Sequence, residues 1–208
     1  ISLLSDKNKI PENNQIKIEI FQLNIHKSAT ANNSEATLNE IYKQINKSNS
    51  EILIYAENNY PYLIKNLELE NIQNLLKDEQ VLIIGGTRFQ EGKYYNSLVN
   101  ITSSNISYFD KKILVPFGEF LPFRKYLNFM EIISGSIDFQ KGNTERIITT
   151  TDNFKILPII CYEIVFDKIF KYINTNNIDI LINITNDSWF GTKAGPYQHF
   201  YLARLKAL

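Results

Sequence analysis

Apolar and polar residues alternate along IKIEIFQLNI (16–25), the two-residue period of a half-buried strand. The period lengthens in SEATLNEIYKQINKS (34–48), where Leu38, Ile41, Tyr42 and Ile45 recur at helical spacing. EILIYAE (51–57) returns to a strand and ends in a carboxylate, and NLELENIQNLLKD (66–78) is a second amphipathic helix. VLIIGGTRF (81–89), a strand broken by Gly85-Gly86, pairs across the turn at Glu91-Gly92 with YYNSLVNIT (94–102). ISYFDKKILV (106–115) is a further strand with a polar Asp-Lys-Lys interruption near its end. Beyond a turn-rich stretch at 125–144, RIITT (146–150) and FKILPII (154–160) form a hairpin around Asp152-Asn153. A helix over 163–174, the strand IDILINIT (178–185), the loop NDSWFGTKAGPYQH (186–199) and a closing helix complete the chain. Strand–helix alternation followed by hairpins predicts an α/β fold with a mixed sheet.

The 208 residues are 44% hydrophobic, enough to bury one sizeable core. Residues 1–15 read as a polar lead-in and 16–208 as one domain. Lys plus Arg and Asp plus Glu both number 22, so no net charge draws the chain to nucleic acid or to an anionic membrane. The single cysteine excludes an intramolecular disulfide and a multi-cysteine zinc site. No apolar run approaches the ~18 to 20 residues of a membrane-spanning helix.

Three strand ends carry reactive groups: Glu57, Lys111 and Cys161. Loops at strand ends build sites in layered α/β folds, so residues this far apart in sequence can converge. Together they suit acyl transfer, in which a thiolate attacks a carbonyl, a carboxylate takes the thiol proton and an ammonium stabilises the oxyanion. A Cys–His pair is the competing arrangement; His26 and His199 are the candidates, and neither has an evident orienting partner in the sequence. Each residue taken alone also has an ordinary reading. Glu57 could be an exposed strand-end acid, Lys111 and Lys112 a solvated edge pair, Glu119 a helix cap and Trp189 a packed anchor.

Their surroundings are more specific. KKILVPFGEFLPF (111–123), ICYEI (160–164) and NITNDSWFGTKAGPYQHFYLARLKAL (183–208) resemble the catalytic domain of the bacterial apolipoprotein N-acyltransferase family, within the nitrilase (carbon–nitrogen hydrolase) superfamily. The resemblance implies a Glu-Lys-Cys triad of Glu57 (in YAENNYP), Lys111 (three residues before LVPFGE) and Cys161 (of CYE). It also implies support from Glu119, Tyr162 and Glu163, and substrate contacts from Asn96, Phe117 and Trp189. Tyr55-Ala56 stand where the family has Trp-Pro, and Asn58-Asn59 where it has small residues.

The implied fold is a nitrilase-like α-β-β-α sandwich, missing its last strands and therefore expected to be marginally stable and prone to associate through an open edge. The implied reaction passes a fatty acyl group from a phospholipid, through a cysteine thioester, to the α-amine of a diacylglyceryl-cysteine on an apolipoprotein. Every step is proton transfer or nucleophilic addition, so no metal or organic cofactor is required. The resemblance places such a domain on the periplasmic side of the bacterial inner membrane, with the membrane surface as a partner and nucleic acid not one. Alternatives are a soluble carbon–nitrogen hydrolase with the same triad, water replacing the amine, and an inert fragment. Phe117, Phe120, Phe123 and Trp189 favour a lipid-facing mouth.

Overall fold

In a computed structural model, the structure describes residues 16–23, 33–126, 137–143, 145–149, 154–171, 177–187, 191 and 193–206, without the side chains of 66–68. The predicted lead-in, His26 and Trp189 lie outside these residues.

The first sheet has six strands: β1 (Ile18–Phe21), β2 (Ile52–Tyr55), β3 (Leu63–Ile64), β4 (Val81–Gln90), β5 (Lys93–Thr102) and β6 (Ile106–Asp110). Its main order is β1-β2-β4-β5-β6, with β3 beside β4. β1, β2 and β4 run parallel, and β4–β5–β6 form an antiparallel meander. The second sheet, in the order β7 (Ile148–Thr149), β8 (Lys155–Ile160) and β9 (Ile180–Ile184), pairs β7 antiparallel and β9 parallel to β8.

Alternation along the strands assigns each layer. In β2 and β4, Leu53, Tyr55, Leu82 and Ile84 pack with Ile41 and Ile45 of α1 (Ser34–Lys47) and with Leu69 and Ile72 of α2 (Asn66–Gln73). Their opposite-facing neighbours Ile52, Ile54, Val81 and Ile83 meet Ile156 and Ile160 of β8 and Ile182 and Ile184 of β9. The far side of β8 presents Leu157 and Ile159 to Ile169 of α3 (Lys168–Lys171), with Ala203 of α4 (Ala194–Lys206) packed against them. Because successive strand residues point to opposite faces, a strand buried on both sides reads as a continuous apolar run. The layers are helix, sheet, sheet, helix, the expected α-β-β-α sandwich.

Several boundaries differ from expectation. Gly85-Gly86 do not break β4, which continues in ladder with β5 through both. α2 ends at Gln73 in tighter turns, where Leu75 and Leu76 donate to carbonyls three residues back. The strand expected to reach 115 ends at Asp110, because the Glu163 carboxylate captures the N–H groups of Lys112 (2.9 Å) and Ile113 (3.0 Å). In place of one helix over 163–174, a 3₁₀ turn over Cys161–Val165 is followed by the short α3. The closing helix begins at Ala194, five residues earlier than expected, which puts His199 mid-helix.

Candidate active site

The carboxyl ends of β2, β6 and β8 open on one side of the sandwich, and each delivers one side chain: Glu57, Lys111 and Cys161. Glu57 leaves β2 in a turn where Asn59 Oδ1 accepts the Ala56 N–H at 3.1 Å. Asn58 there adopts φ +54°, a left-handed conformation that asparagine tolerates better than most residues. Gly85 of β4 lies beneath: a Cβ on it would sit 2.6 Å from Glu57 Cα and 2.8 Å from the Ala56 carbonyl oxygen. The departures from the family pattern around Glu57 thus still form a closed turn with the acid inside.

Lys111 follows β6 by one residue, its N–H donating to the Asn96 carbonyl at 2.8 Å. The departure from strand geometry after it means that simple alternation does not separate the two lysines. Lys111 is 1% exposed and aimed into the site, while Lys112 is half-buried outside it. Cys161 directly follows β8 and opens the 3₁₀ turn with φ +53°, the left-handed region that strains a non-glycine residue.

The side chains form one network. Lys111 Nζ donates to Glu119 Oε1 at 2.9 Å and stands 4.0 Å from Glu57 Oε1. The Asn96 amide nitrogen bridges both acids, at 2.7 Å from Glu57 and 2.8 Å from Glu119. The Asn186 N–H donates to Glu57 Oε2 at 3.1 Å, and the Val115 N–H to Glu119 Oε2 at 2.9 Å.

Burial raises the Glu57 carboxyl above the usual range, against the pull of Lys111 and Asn96. Burial also works against the Lys111 charge, but Glu57 and Glu119 outweigh it and hold the ammonium above the ordinary lysine range. The Cys161 thiol is pushed up to about 12, first by burial and then by the Glu57 charge, with Lys111 opposing. Cys161 therefore rests as a neutral thiol close to the Glu57 carboxylate, a group able to take its proton.

A cavity of about 200 Å³ lies over these groups, with Val115, Gly118, Phe139 and Tyr162 among its walls. Phe117 is not among its lining residues; 42% exposed at φ +63°, it stands on the loop that carries Glu119 inward. Glu163 is outside the cavity and wholly buried, where it receives Arg146 at 2.8 Å and 3.1 Å and the Ile160 N–H at 3.1 Å. It ties the turn that begins at Cys161 to the backbone just after Lys111.

The structure adds Arg146, Thr185 and Asn186 to the residues expected from sequence. Asn186 and Thr185 flank the start of the quoted NDSWFG stretch, whereas nothing local marks Arg146. His199 does have an orienting partner: Nδ1 lies 2.8 Å from Asp187, and Nε2 faces the Cys161 carbonyl at 3.1 Å. Among the described residues no cluster of three His, Cys, Asp or Glu side chains is arranged to hold a metal ion.

Solved structures share the fold, the following two among them. The carbon–nitrogen hydrolase of Helicobacter pylori G27 matches with TM-score 0.61 and 16% identity, over 92% of this chain and 69% of its own. A branch 10 nitrilase-superfamily member from Saccharomyces cerevisiae matches with TM-score 0.61 and 19% identity, over 92% and 71%.

Curated relatives are more similar in sequence. The apolipoprotein N-acyltransferase of Wigglesworthia glossinidia brevipalpis is 36% identical, over 92% of this chain and 42% of its own. That of Brucella suis biovar 1 is 31% identical, over 96% and 41%. The chain thus spans about two fifths of the length of the curated relatives it matches. The carbon–nitrogen hydrolase family model matches residues 17–208, which takes in the sandwich and all three converging strand ends, and the chain belongs to that family.

Proposed function

We propose that this domain is an N-acyltransferase of lipoprotein maturation, using Cys161 as nucleophile, Glu57 as general base and then acid, and Lys111 as oxyanion stabiliser. The observation that carries the reading is the convergence of these three side chains at one cavity, in a chain 31–36% identical to curated apolipoprotein N-acyltransferases. Cys161 Sγ passes its proton to Glu57 and attacks the ester carbonyl of a phospholipid acyl chain, while Lys111 Nζ donates to the developing oxyanion. Collapse expels the lysophospholipid oxygen, which takes the proton from Glu57, and leaves a thioester. The α-amine of a diacylglyceryl-cysteine on an apolipoprotein then attacks; Glu57 takes the amine proton and returns a proton to the departing sulfur. Glu119 and Asn96 hold Lys111 and Glu57 in place throughout.

An apolar acyl chain needs an apolar approach. The loop that supplies Glu119 also carries Phe123, 78% exposed, and Tyr126, 77% exposed, beside half-exposed Phe117. Aromatics exposed on this loop suit a membrane interface, which supports docking of the domain on a membrane surface; the periplasmic face of the bacterial inner membrane is the placement this reading implies. Among the described residues no helix is long and apolar enough to cross a membrane.

The test is to incubate the protein with phospholipid and a diacylglyceryl-cysteine peptide and to weigh both. An acyl adduct on Cys161 that chases onto the peptide amine supports the reading. Hydrolysis of simple amides with no adduct from phospholipid would replace it with the carbon–nitrogen hydrolase alternative, and neither activity would leave an inert fragment.

A further inference from the structure

The nucleophile is held from two sides by groups outside the triad. His199 is 3% exposed, with Nδ1 2.8 Å from Asp187 Oδ1 and Nε2 3.1 Å from the Cys161 carbonyl oxygen. A carbonyl oxygen only accepts, so Nε2 carries a proton. The Asp187 carboxylate, with 23% of its side chain in solvent, also only accepts. Nδ1 then carries a proton as well, and the ring is an imidazolium. The Asp187 hydrogen bond, opposed by burial and aided by the Asp187 charge, accordingly lifts His199 above the ordinary histidine range.

Asp187 Oδ1 also accepts the Thr185 hydroxyl at 2.9 Å, and that hydroxyl lies close enough to the Cys161 sulfur to favour its anion. One carboxylate therefore reaches both ends of the nucleophile, the backbone through His199 and the sulfur through Thr185. Cys161 needs such support, because its left-handed φ of +53° persists only where the surroundings over-determine it.

We propose that the Asp187–His199 ion pair is the brace of the nucleophile turn, with His199 a positioning residue whose Nε2–H pins the Cys161 carbonyl. In the resting state the Thr185 hydroxyl donates to Asp187. When the thiol proton moves to Glu57, the same hydroxyl turns to donate to the sulfur anion, and Asp187 retains the imidazolium. Among the described residues, the groups facing the ring include Asp187 from the loop after β9, Glu57 from the end of β2, and Cys161 and Tyr162 from the nucleophile turn, the Tyr162 ring 6.0 Å away. The inference rests on Cys161 as nucleophile but not on which acyl donor or acceptor is used.

The chain has 2 histidines, so ring-nitrogen NMR can follow both on the full chain. His199 is expected to hold protons on both nitrogens at about pH 7, above the ordinary histidine midpoint, and Asp187→Asn to return it to one proton. His199→Leu is expected to slow iodoacetamide alkylation of Cys161 about tenfold, the size of the left-handed strain it releases. His199→Gln, which restores an N–H near the Nε2 position, should recover most of that rate. A neutral His199 ring at that pH in the native protein overturns the proposal, whatever the variants do, and so does unchanged or faster alkylation in a folded His199→Leu. If His199→Leu does not fold, the native titration decides. Alkylation needs no lipid, so a protein that brace-positions Cys161 yet transfers no acyl group would sink the proposed function and leave this inference standing.

Discussion

Lys111 hydrogen-bonds Glu119 at 2.9 Å and stands 4.0 Å from Glu57. The ammonium is anchored by the acid that does not touch the thiol, which leaves Glu57 available to exchange a proton with Cys161. Glu119→Ala should therefore misplace the oxyanion donor and lower the yield of acylated Cys161 by ~10²–10³-fold. Glu119→Gln, keeping the shape without the charge, should retain more. Quantitative mass spectrometry of the adduct checks this, and equal activity in wild type and Glu119→Ala would remove the anchoring role.

The two triad partners should move the reactivity of Cys161 in opposite directions. The Glu57 charge raises the thiol's pKa and the Lys111 charge lowers it. At pH 8 a pKa of about 12 leaves on the order of one thiol in ten thousand ionised, against roughly a quarter of an ordinary cysteine. Alkylation by iodoacetamide should consequently be slow at pH 8 and still rising beyond pH 10. Glu57→Gln removes an anion and should speed alkylation while abolishing acyl transfer; Lys111→Met should slow it further. Rates against pH for the three proteins decide, and a slower Glu57→Gln would contradict the assigned electrostatics.

Only one of the adjacent lysines should matter to the chemistry. The Lys112 side chain is half-buried outside the cavity, and its contribution runs through its backbone N–H to Glu163, which alanine retains. Lys112→Ala is expected to keep acylation within about twofold, a surface-like substitution, whereas Lys111→Ala eliminates it.

Glu163 should prove structural. Removing its carboxylate leaves Arg146 buried without its ionic partner and deprives the N–H groups of Lys112, Ile113 and Ile160 of their acceptor. Breaking a buried pair costs about 3–5 kcal/mol, a large part of a domain's stability. Urea unfolding of Glu163→Ala should show a markedly lower midpoint. A variant that unfolds like wild type would show that these groups find other partners.

Gly85 has no room for a side chain. A Cβ there meets Glu57 Cα at 2.6 Å and the Asn58 nitrogen at 2.9 Å, both backbone atoms that move only with the whole turn. Gly85→Ala is expected to cost about 1–3 kcal/mol and to displace Glu57. Thermal melting and adduct yield, measured together, should both fall.

Much was written locally in the chain. The helical spacing of Ile41 and Ile45 and the double apolar faces of β2, β4 and β8 specify the layers, since burial on one face or two is set by side-chain period. Glu57, Lys111 and Cys161 could be picked out because each lies at a strand end within a quoted motif.

Contacts between distant segments decided the rest. β6 stops at Asp110 because a carboxylate 51 residues away from Lys112 takes its N–H, an event no local propensity encodes. For the same reason the helix expected after Cys161 became a 3₁₀ turn, drawn in where Glu163 bonds the Ile160 N–H and Arg146. Asp187 as the partner of His199, and the protonation of the thiol, follow from burial and from charges that meet only in three dimensions. Local pattern determines which face of an element is apolar; hydrogen bonds between buried groups far apart in the chain determine where the element ends and what its last residue can do.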